Sequence, residues 1–203
     1  MSNQNHHEYK FLQLNFKKSL QASVEFIKKT RKIKNFVCLA TEPYISFDKV
    51  GNAPPGSKTF CGDKNPRAAI IFDKDIGVVG INKLSNRDCA VAFVKIDKVL
   101  TVVASVYCDI NLAMIQPILQ ELIDFVTANH YPILIGMDSN AHSTLYGKET
   151  NKRGELLEDF IFTNGLEVKN VVGETTFVTT RGENTYRTCI DVTLARDMPT
   201  LKD

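Results

Sequence analysis

The sequence predicts one α/β domain, a pair of sheets flanked by helices, and three observations predict it. Short apolar, β-branched runs outnumber helical stretches along the chain. The helical stretches are apolar on one side only, so each should lie against a sheet. The order is strand, helix, several strands, then helix, strand, helix and further strands, and no repeat, low-complexity tract or linker divides it. With 203 residues, 43% hydrophobic and 24% charged, the chain has the composition of a soluble globular protein and can bury a sizeable core.

Residues Met1 to Tyr9 are polar, and the first 10 residues are expected to be a disordered tail ahead of a domain spanning 11–203. Phe11 to Asn15 alternates as a first strand. A helix over Ser19 to Ile33 would bury Leu20, Val24 and Ile27. Phe36 to Ala40 is a second strand. Pro43 stops its ladder and is expected to force Glu42 into an extended conformation, leaving that carboxylate at a strand terminus. From Ile45 to Pro66, Gly51, Pro54, Pro55, Gly56 and Gly62 predict a long surface loop of the functional kind.

Four β-rich runs follow, Ala68 to Phe72, Ile76 to Ile81, Cys89 to Ile96 and Val99 to Tyr107. The short polar turns between them predict an antiparallel meander. Ile115 to Phe125 has a wide apolar stripe, and Pro117 suits the start of a regular helix. Ile133 to Ile135 then reads as a strand buried on both faces. It ends at Gly136-Met137 and delivers Asp138 and Asn140 two residues apart, pointing the same way if the strand continues through them. Thr150 can cap a helix from Asn151 to Asn164, with Leu156, Leu157, Phe160 and Ile161 on its buried face and Gly165 as its stop. Thr175 to Thr179 and Cys189 to Ala195 are strand-like, with a hairpin-like loop over 181–184 between them.

Charge and cysteine usage exclude several classes. A net charge of +2 does not describe a polycation. The lysines and arginine crowded into Lys17, Lys18, Lys28, Lys29, Arg31, Lys32 and Lys34 read as a solvated helix face. Five scattered cysteines without CxxC spacing are distributed as reduced thiols, which excludes a disulfide framework and a zinc site. Neither a signal peptide nor an apolar run of membrane-spanning length is visible, so an intracellular setting and no membrane partner are expected. Asp138, Asn140, His142 and Glu149 fall at calcium-loop spacing. Ser143, however, stands where the sharp turn needs glycine, and a strand leads in, so that reading is rejected.

What remains is a set of polar residues at strand ends: Asn15, Glu42, Tyr107, Asp138, Asn140 and Asp191. Each alone has an ordinary explanation as a cap, turn acceptor, surface acid or half-buried aromatic. Their order, however, accompanies Gln13-x-Asn15, Glu42-Pro43-Tyr44, Pro66-Arg67-Ala68-Ala69-Ile70, Gly136-x-Asp138-x-Asn140-Ala141-His142, Asn151-x-Arg153-Gly154-x-x-Leu157 and Ile190-Asp191-Val192-Thr193-Leu194. Over about residues 11 to 196 this pattern resembles the endonuclease/exonuclease/phosphatase superfamily. More narrowly, it resembles the apurinic-type endonuclease domain of non-LTR retrotransposons.

The resemblance implies a four-layered α/β sandwich with its site at one edge between two packed mixed sheets. It implies DNA as substrate and hydrolysis of a phosphodiester in the nucleus, leaving a 3′-hydroxyl that primes a reverse transcriptase of the same polyprotein. By the same analogy Glu42 is the main ligand of Mg²⁺, with Asn15 nearby and Mn²⁺ as the alternative ion. Asp138 would orient or deprotonate the attacking water, Asn140 would hold a phosphate oxygen, and Tyr107 would stabilise developing charge. Asp191 matches the carboxylate that orients a catalytic histidine. The pattern closes with a Ser-Asp-His motif on a further strand, and no histidine follows His142. The expectation is therefore a domain incomplete at its C-terminus, with the last strand missing. Two alternatives accompany it: a catalytically impaired DNA-binding remnant, and a phosphoesterase of the same fold acting on small or lipid phosphates.

Overall fold

The computed structural model describes residues 9–172, 174–182 and 184–199. In chain order the elements are β1 (Lys10–Asn15), α1 (Leu20–Thr30), β2 (Phe36–Thr41), β3 (Ile45–Ser46), β4 (Lys49–Val50), β5 (Ser57–Phe60), β6 (Ala68–Asp73), β7 (Val78–Gly80), a 3₁₀ turn (Asn82–Leu84), β8 (Cys89–Ile96) and β9 (Val99–Tyr107). There follow α2 (Pro117–Asn129), β10 (Ile133–Asp138), α3 (Lys152–Thr163), β11 (Glu167–Val168), β12 (Phe177–Arg181), β13 (Asn184–Thr188) and β14 (Asp191–Arg196). The expected tail lies, through residue 8, outside the described residues, and Lys10 already belongs to β1.

Two sheets carry the fold, one in the order β1-β2-β6-β5 and one in the order β11-β14-β10-β9-β8-β7. Because strands send successive side chains to opposite faces, β2 is buried along its whole length by serving two cores. Val37 and Leu39, with Ala68, Ile70 and Phe72 of β6, meet Ala90, Ala92, Val94, Val103 and Leu134 of the larger sheet. Cys38, Ala40, Ala69 and Ile71 face the other way, under Phe16, Phe26 and Phe36. The outer face of the larger sheet, including Ala104, Ile135 and Leu194, is covered by Leu119, Leu122 and Ile123 of α2 and by Leu157, Phe160 and Ile161 of α3. Helix, sheet, sheet and helices make the four layers expected.

Small residues let the two sheets approach. A side chain at Gly136 would meet Leu39 Cβ at 2.8 Å and Gln13 Cδ at 3.3 Å, so glycine is what brings β1 and β2 onto β10. Ser105 Oγ, fully buried, donates across the gap to the Ala40 carbonyl at 2.8 Å. Gln13 does the same near the site: its Nε2 donates to the Met137 carbonyl, and its Oε1 accepts from Thr193 Oγ1.

Several expectations are corrected. The four runs from Ala68 to Tyr107 do not form one meander. β6 pairs with β2 and β5, whereas β7, β8 and β9 pair among themselves in the other sheet. The run from Ile76 to Ile81 contributes only Val78–Gly80 as strand. The loop expected from Ile45 to Pro66 contains the β3–β4 ribbon and the edge strand β5. On α1 the buried residues are Ser23, Phe26 and Thr30, while Leu20 is exposed; edge-to-face stacking of Phe26 on Phe16 and Phe36 turns the helix to that side. The α3 cap is Asn151, whose side chain accepts from Gly154 N; Thr150 instead donates to Glu158. β12 and β13 form their own hairpin, and β14 departs from it into the larger sheet. The loop expected over 181–184 is its turn, in which residue 183 lies outside the described residues.

Candidate active site

Three neighbouring strands of the larger sheet end in one row. Tyr107 of β9 is in register with Asp138 of β10, and Asp138 with Asp191 of β14. Register partners project to the same face of a sheet. From the opposite sheet, Asn15 at the end of β1 reaches the middle of that row, its Nδ2 donating to Asp138 Oδ2 at 2.6 Å. The Asn15 amide is itself held, because its Oδ1 accepts from the Lys17 main-chain N–H at 2.7 Å. A strand end from each sheet thus meets at one edge of the sandwich.

Glu42 enters differently from the expectation. It follows β2 directly, but its φ is +44°, in the left-handed region rather than extended. Pro43 disfavours the right-handed helical region for its predecessor, and two main-chain bonds hold the conformation adopted here. The Glu42 N–H donates to the Arg67 carbonyl at 2.8 Å, and its carbonyl accepts from Lys18 N–H at 2.7 Å. The carboxylate is about one-fifth exposed and lies 3.7 Å from Lys18 Nζ. Asn140 is corrected in the same way: β10 ends at Asp138, and Asn140 has φ +46°, so the strand does not carry through both residues. Its Nδ2 donates to the Cys108 carbonyl at 3.1 Å, which secures it beside Tyr107.

The electrostatics follow from crowding of acids out of water. Asp138 is only 2% exposed, and its Oδ1 is buried without a hydrogen-bond partner among the described residues. Burial, then the charges of Asp191 and Glu42, push its pKa up to about 7 against the nearby Asn140 main-chain N–H and the bond from Asn15. Burial raises Asp191 to about 6, held back by the Thr176 hydroxyl and the Lys17 charge, and its Oδ1 is likewise unpartnered. Burial, then Glu42 and Asp138, raise the Tyr107 phenol, with Arg67 opposing. Asp138 thus feels the charges of Asp191 and Glu42, and Tyr107 those of Glu42 and Asp138.

Among the described residues, no group of three or more His, Cys, Asp or Glu side chains forms a ready-made metal cage. The oxygen donors open to a cation are the Glu42 carboxylate and the Asn15 amide, with the orphaned Asp138 Oδ1 beside them for a bound water. That set fits a hard divalent cation which keeps much of its coordination as water and substrate, and it does not fit zinc. A groove of about 280 Å³, lined by Gln13, Asn15, Lys17, Asn170, Thr176 and Asp191, adjoins the row. Among the described residues no histidine bonds Asp191: His142 pairs with Glu149 and His130 ends α2.

Sequence reasoning assigned no role to Arg67, although its guanidinium lies 4.6 Å from the centre of the Tyr107 ring. Arg153 was read only as part of a motif. It gathers the carbonyls of Asp109, Leu112 and Ser139, tying the segment after Tyr107 to the residue between Asp138 and Asn140.

Comparison with known proteins agrees with this geometry. Residues 101–201 match the family described as endonuclease-reverse transcriptase. The chain is 24% identical over 200 residues to the putative 115 kDa protein in type-1 retrotransposable element R1DM of Drosophila melanogaster. That alignment covers 93% of this chain and 19% of the relative, so the chain spans about a fifth of that protein's length. The endonuclease domain of TRAS1, a telomere-specific non-LTR retrotransposon, superposes with a TM-score of 0.75 at 25% identity, covering 94% of this chain and 86% of that one. The human Nocturnin catalytic domain shares the fold alone, with a TM-score of 0.63 at 13% identity over 93% of this chain and 82% of its own.

Four layers with a carboxylate–amide site at one edge define a domain of the endonuclease/exonuclease/phosphatase superfamily. Within it, the chain is an endonuclease-like domain of the non-LTR retrotransposon kind. Among the described residues no helix is long and apolar enough to cross a membrane.

Proposed function

We propose that this domain is a Mg²⁺-dependent DNA endonuclease of a non-LTR retrotransposon. It hydrolyses one phosphodiester to leave a 3′-hydroxyl, which primes a reverse transcriptase of the same polyprotein in the nucleus. One observation carries the reading: the in-register row Tyr107, Asp138 and Asp191 is bonded across the sandwich by Asn15, with Glu42 close enough to perturb two of its members. Likeness to proteins of retrotransposable elements supports the same substrate class.

Glu42 and Asn15 would hold the cation, which supplies neutralisation of the scissile phosphate and of the departing 3′ oxygen. The chain's own groups do the rest. Asn15 occupies Asp138 Oδ2, leaving Oδ1 to accept a proton from the attacking water. A carboxyl with a pKa of about 7 is matched to that transfer near neutral pH. The Tyr107 hydroxyl donates to the charge developing on the phosphorane oxygens. Asn140 spends one N–H on Cys108 and keeps the other for a phosphate oxygen. Asp191 stands at the end of the row beside the groove, with its Oδ1 unpartnered among the described residues.

Nicking of supercoiled plasmid with Mg²⁺, and its loss with a chelator, tests the proposal. Glu42→Gln and Asp138→Ala should each lower nicking by at least about 10²-fold, the scale of a lost general base or charge stabiliser, with circular dichroism unchanged. Full activity in either variant refutes the roles. DNA binding without turnover would instead favour the impaired remnant. Turnover of a small phosphoester alone would favour a phosphoesterase.

A further inference from the structure

Arg67 directly precedes β6 of the four-stranded sheet, yet its side chain belongs to the other sheet's loops. Nε and Nη2 fork onto the Asp88 carboxylate at 2.6 and 2.5 Å, and Nη1 donates to Asp109 Oδ2 at 2.6 Å. Asp88 directly precedes β8, and its carbonyl accepts the Tyr107 N–H at 2.8 Å. Asp109 follows Tyr107 by two residues. The guanidinium therefore grips the chain on both sides of Tyr107 while lying over its ring at 4.6 Å. The main chain of the same residue has a second duty, since its carbonyl accepts the N–H of left-handed Glu42.

A purely structural ion pair between sheets would need neither the stacked ring nor the bond to Glu42. From this juxtaposition, and resting on the endonuclease reading above, we infer that Arg67 is a positioning residue that sets Tyr107 and Glu42 relative to one another across the sandwich. The planar, five-donor fork satisfies two carboxylates and stacks at once. A lysine ammonium offers charge without that geometry.

The test uses Arg67→Lys, Arg67→Met and Asp88→Asn in the full chain, with two readouts. One is single-turnover nicking as a function of DNA concentration. The other is NMR of ring-¹³C-labelled tyrosine, with Tyr107→Phe assigning the resonance. The rate constant should fall about 10²-fold in Arg67→Met, as expected when a reacting group is misplaced by about 1 Å. KM for DNA should stay within about threefold of the wild type, as expected when uniform binding is untouched. Arg67→Lys should not rescue the rate, and the Tyr107 resonance should move while the other tyrosines stay. Asp88→Asn, which keeps the Arg67 charge, should produce a smaller shift of the same kind and carries the test if Arg67→Met fails to fold. An unmoved Tyr107 resonance, a rate restored by lysine, or a change confined to KM overturns the inference. If the wild type does not nick, the endonuclease reading fails, and the Tyr107 resonance still decides whether Arg67 sets that ring.

Discussion

Asp138 is an acid placed among acids where water scarcely reaches. Burial, Asp191 and Glu42 raise its pKa to about 7, and burial raises Asp191 to about 6. Both values lie above those of the unfolded chain, so the folded state holds the protons more tightly. The contribution to stability is complete below the unfolded carboxylate pKa of about 4 and is lost as pH rises through about 6 to 7. In the presence of a chelator, Tm should therefore fall between pH 5 and pH 8. Asp138→Asn should flatten that fall, gaining on the order of 2 kcal/mol at pH 8, or about 4–8 °C for a domain of this size. Equal pH dependence in mutant and wild type would refute the crowding. At this scale the residue types at the site were legible, because carboxylates and amides at strand ends are visible in a linear sequence. Their backbone states were not. Glu42 is left-handed because Arg67 and Lys18 hold its N–H and carbonyl, and both partners are remote in sequence or outside the Glu42-Pro43 rule.

At the scale of elements, the motif Asn151-x-Arg153-Gly154 acquires a mechanical meaning. Asn151 caps α3 through Gly154 N and also accepts from His142 N–H, while its own N–H donates to the His142 carbonyl. The start of α3 is thereby pressed against the loop leaving Asp138. A Cβ at position 154 would stand 1.7 Å from the His142 carbonyl oxygen. Gly154→Ala should cost about 1–3 kcal/mol by overpacking and reduce nicking through displacement of the 138–142 loop. Denaturant unfolding and the plasmid assay would check both, and a stable, fully active alanine variant would count against the buttress. The periodicity of α3 was readable in the apolar stripe of Leu157, Phe160 and Ile161, but Leu156, expected on the same face, is turned to water, and Gly154 takes the buried place beside the His142 carbonyl instead. For α1 the stripe chosen by aliphatic spacing was wrong. The Phe26 ring, locked between two other aromatics, sets the buried face and leaves Leu20 in water.

At the scale of the molecule, two sheets bring together residues more than 120 positions apart, as the bond from Asn15 to Asp138 illustrates. The net charge of +2 is small for a nucleic-acid partner. Binding to DNA should therefore be weak at physiological salt, with Kd of roughly 10⁻⁴–10⁻⁶ M on non-specific duplex, and should weaken further as salt releases less entropy from displaced counterions. Titrations at 50 and 200 mM salt would test this, and an affinity indifferent to salt would refute a phosphate-contacting surface. The sequence by itself determined where most strands and helices run and which polar groups stand at their ends, because side-chain periodicity records how each local face meets water. Only the tertiary structure decided that β6 joins β2 rather than β7, that β12 and β13 leave the main sheets, and that Arg67 reaches Tyr107. Several apolar strands of similar pattern could pair with one another, and the choice among them is made by the summed packing and hydrogen bonding of segments far apart in the chain.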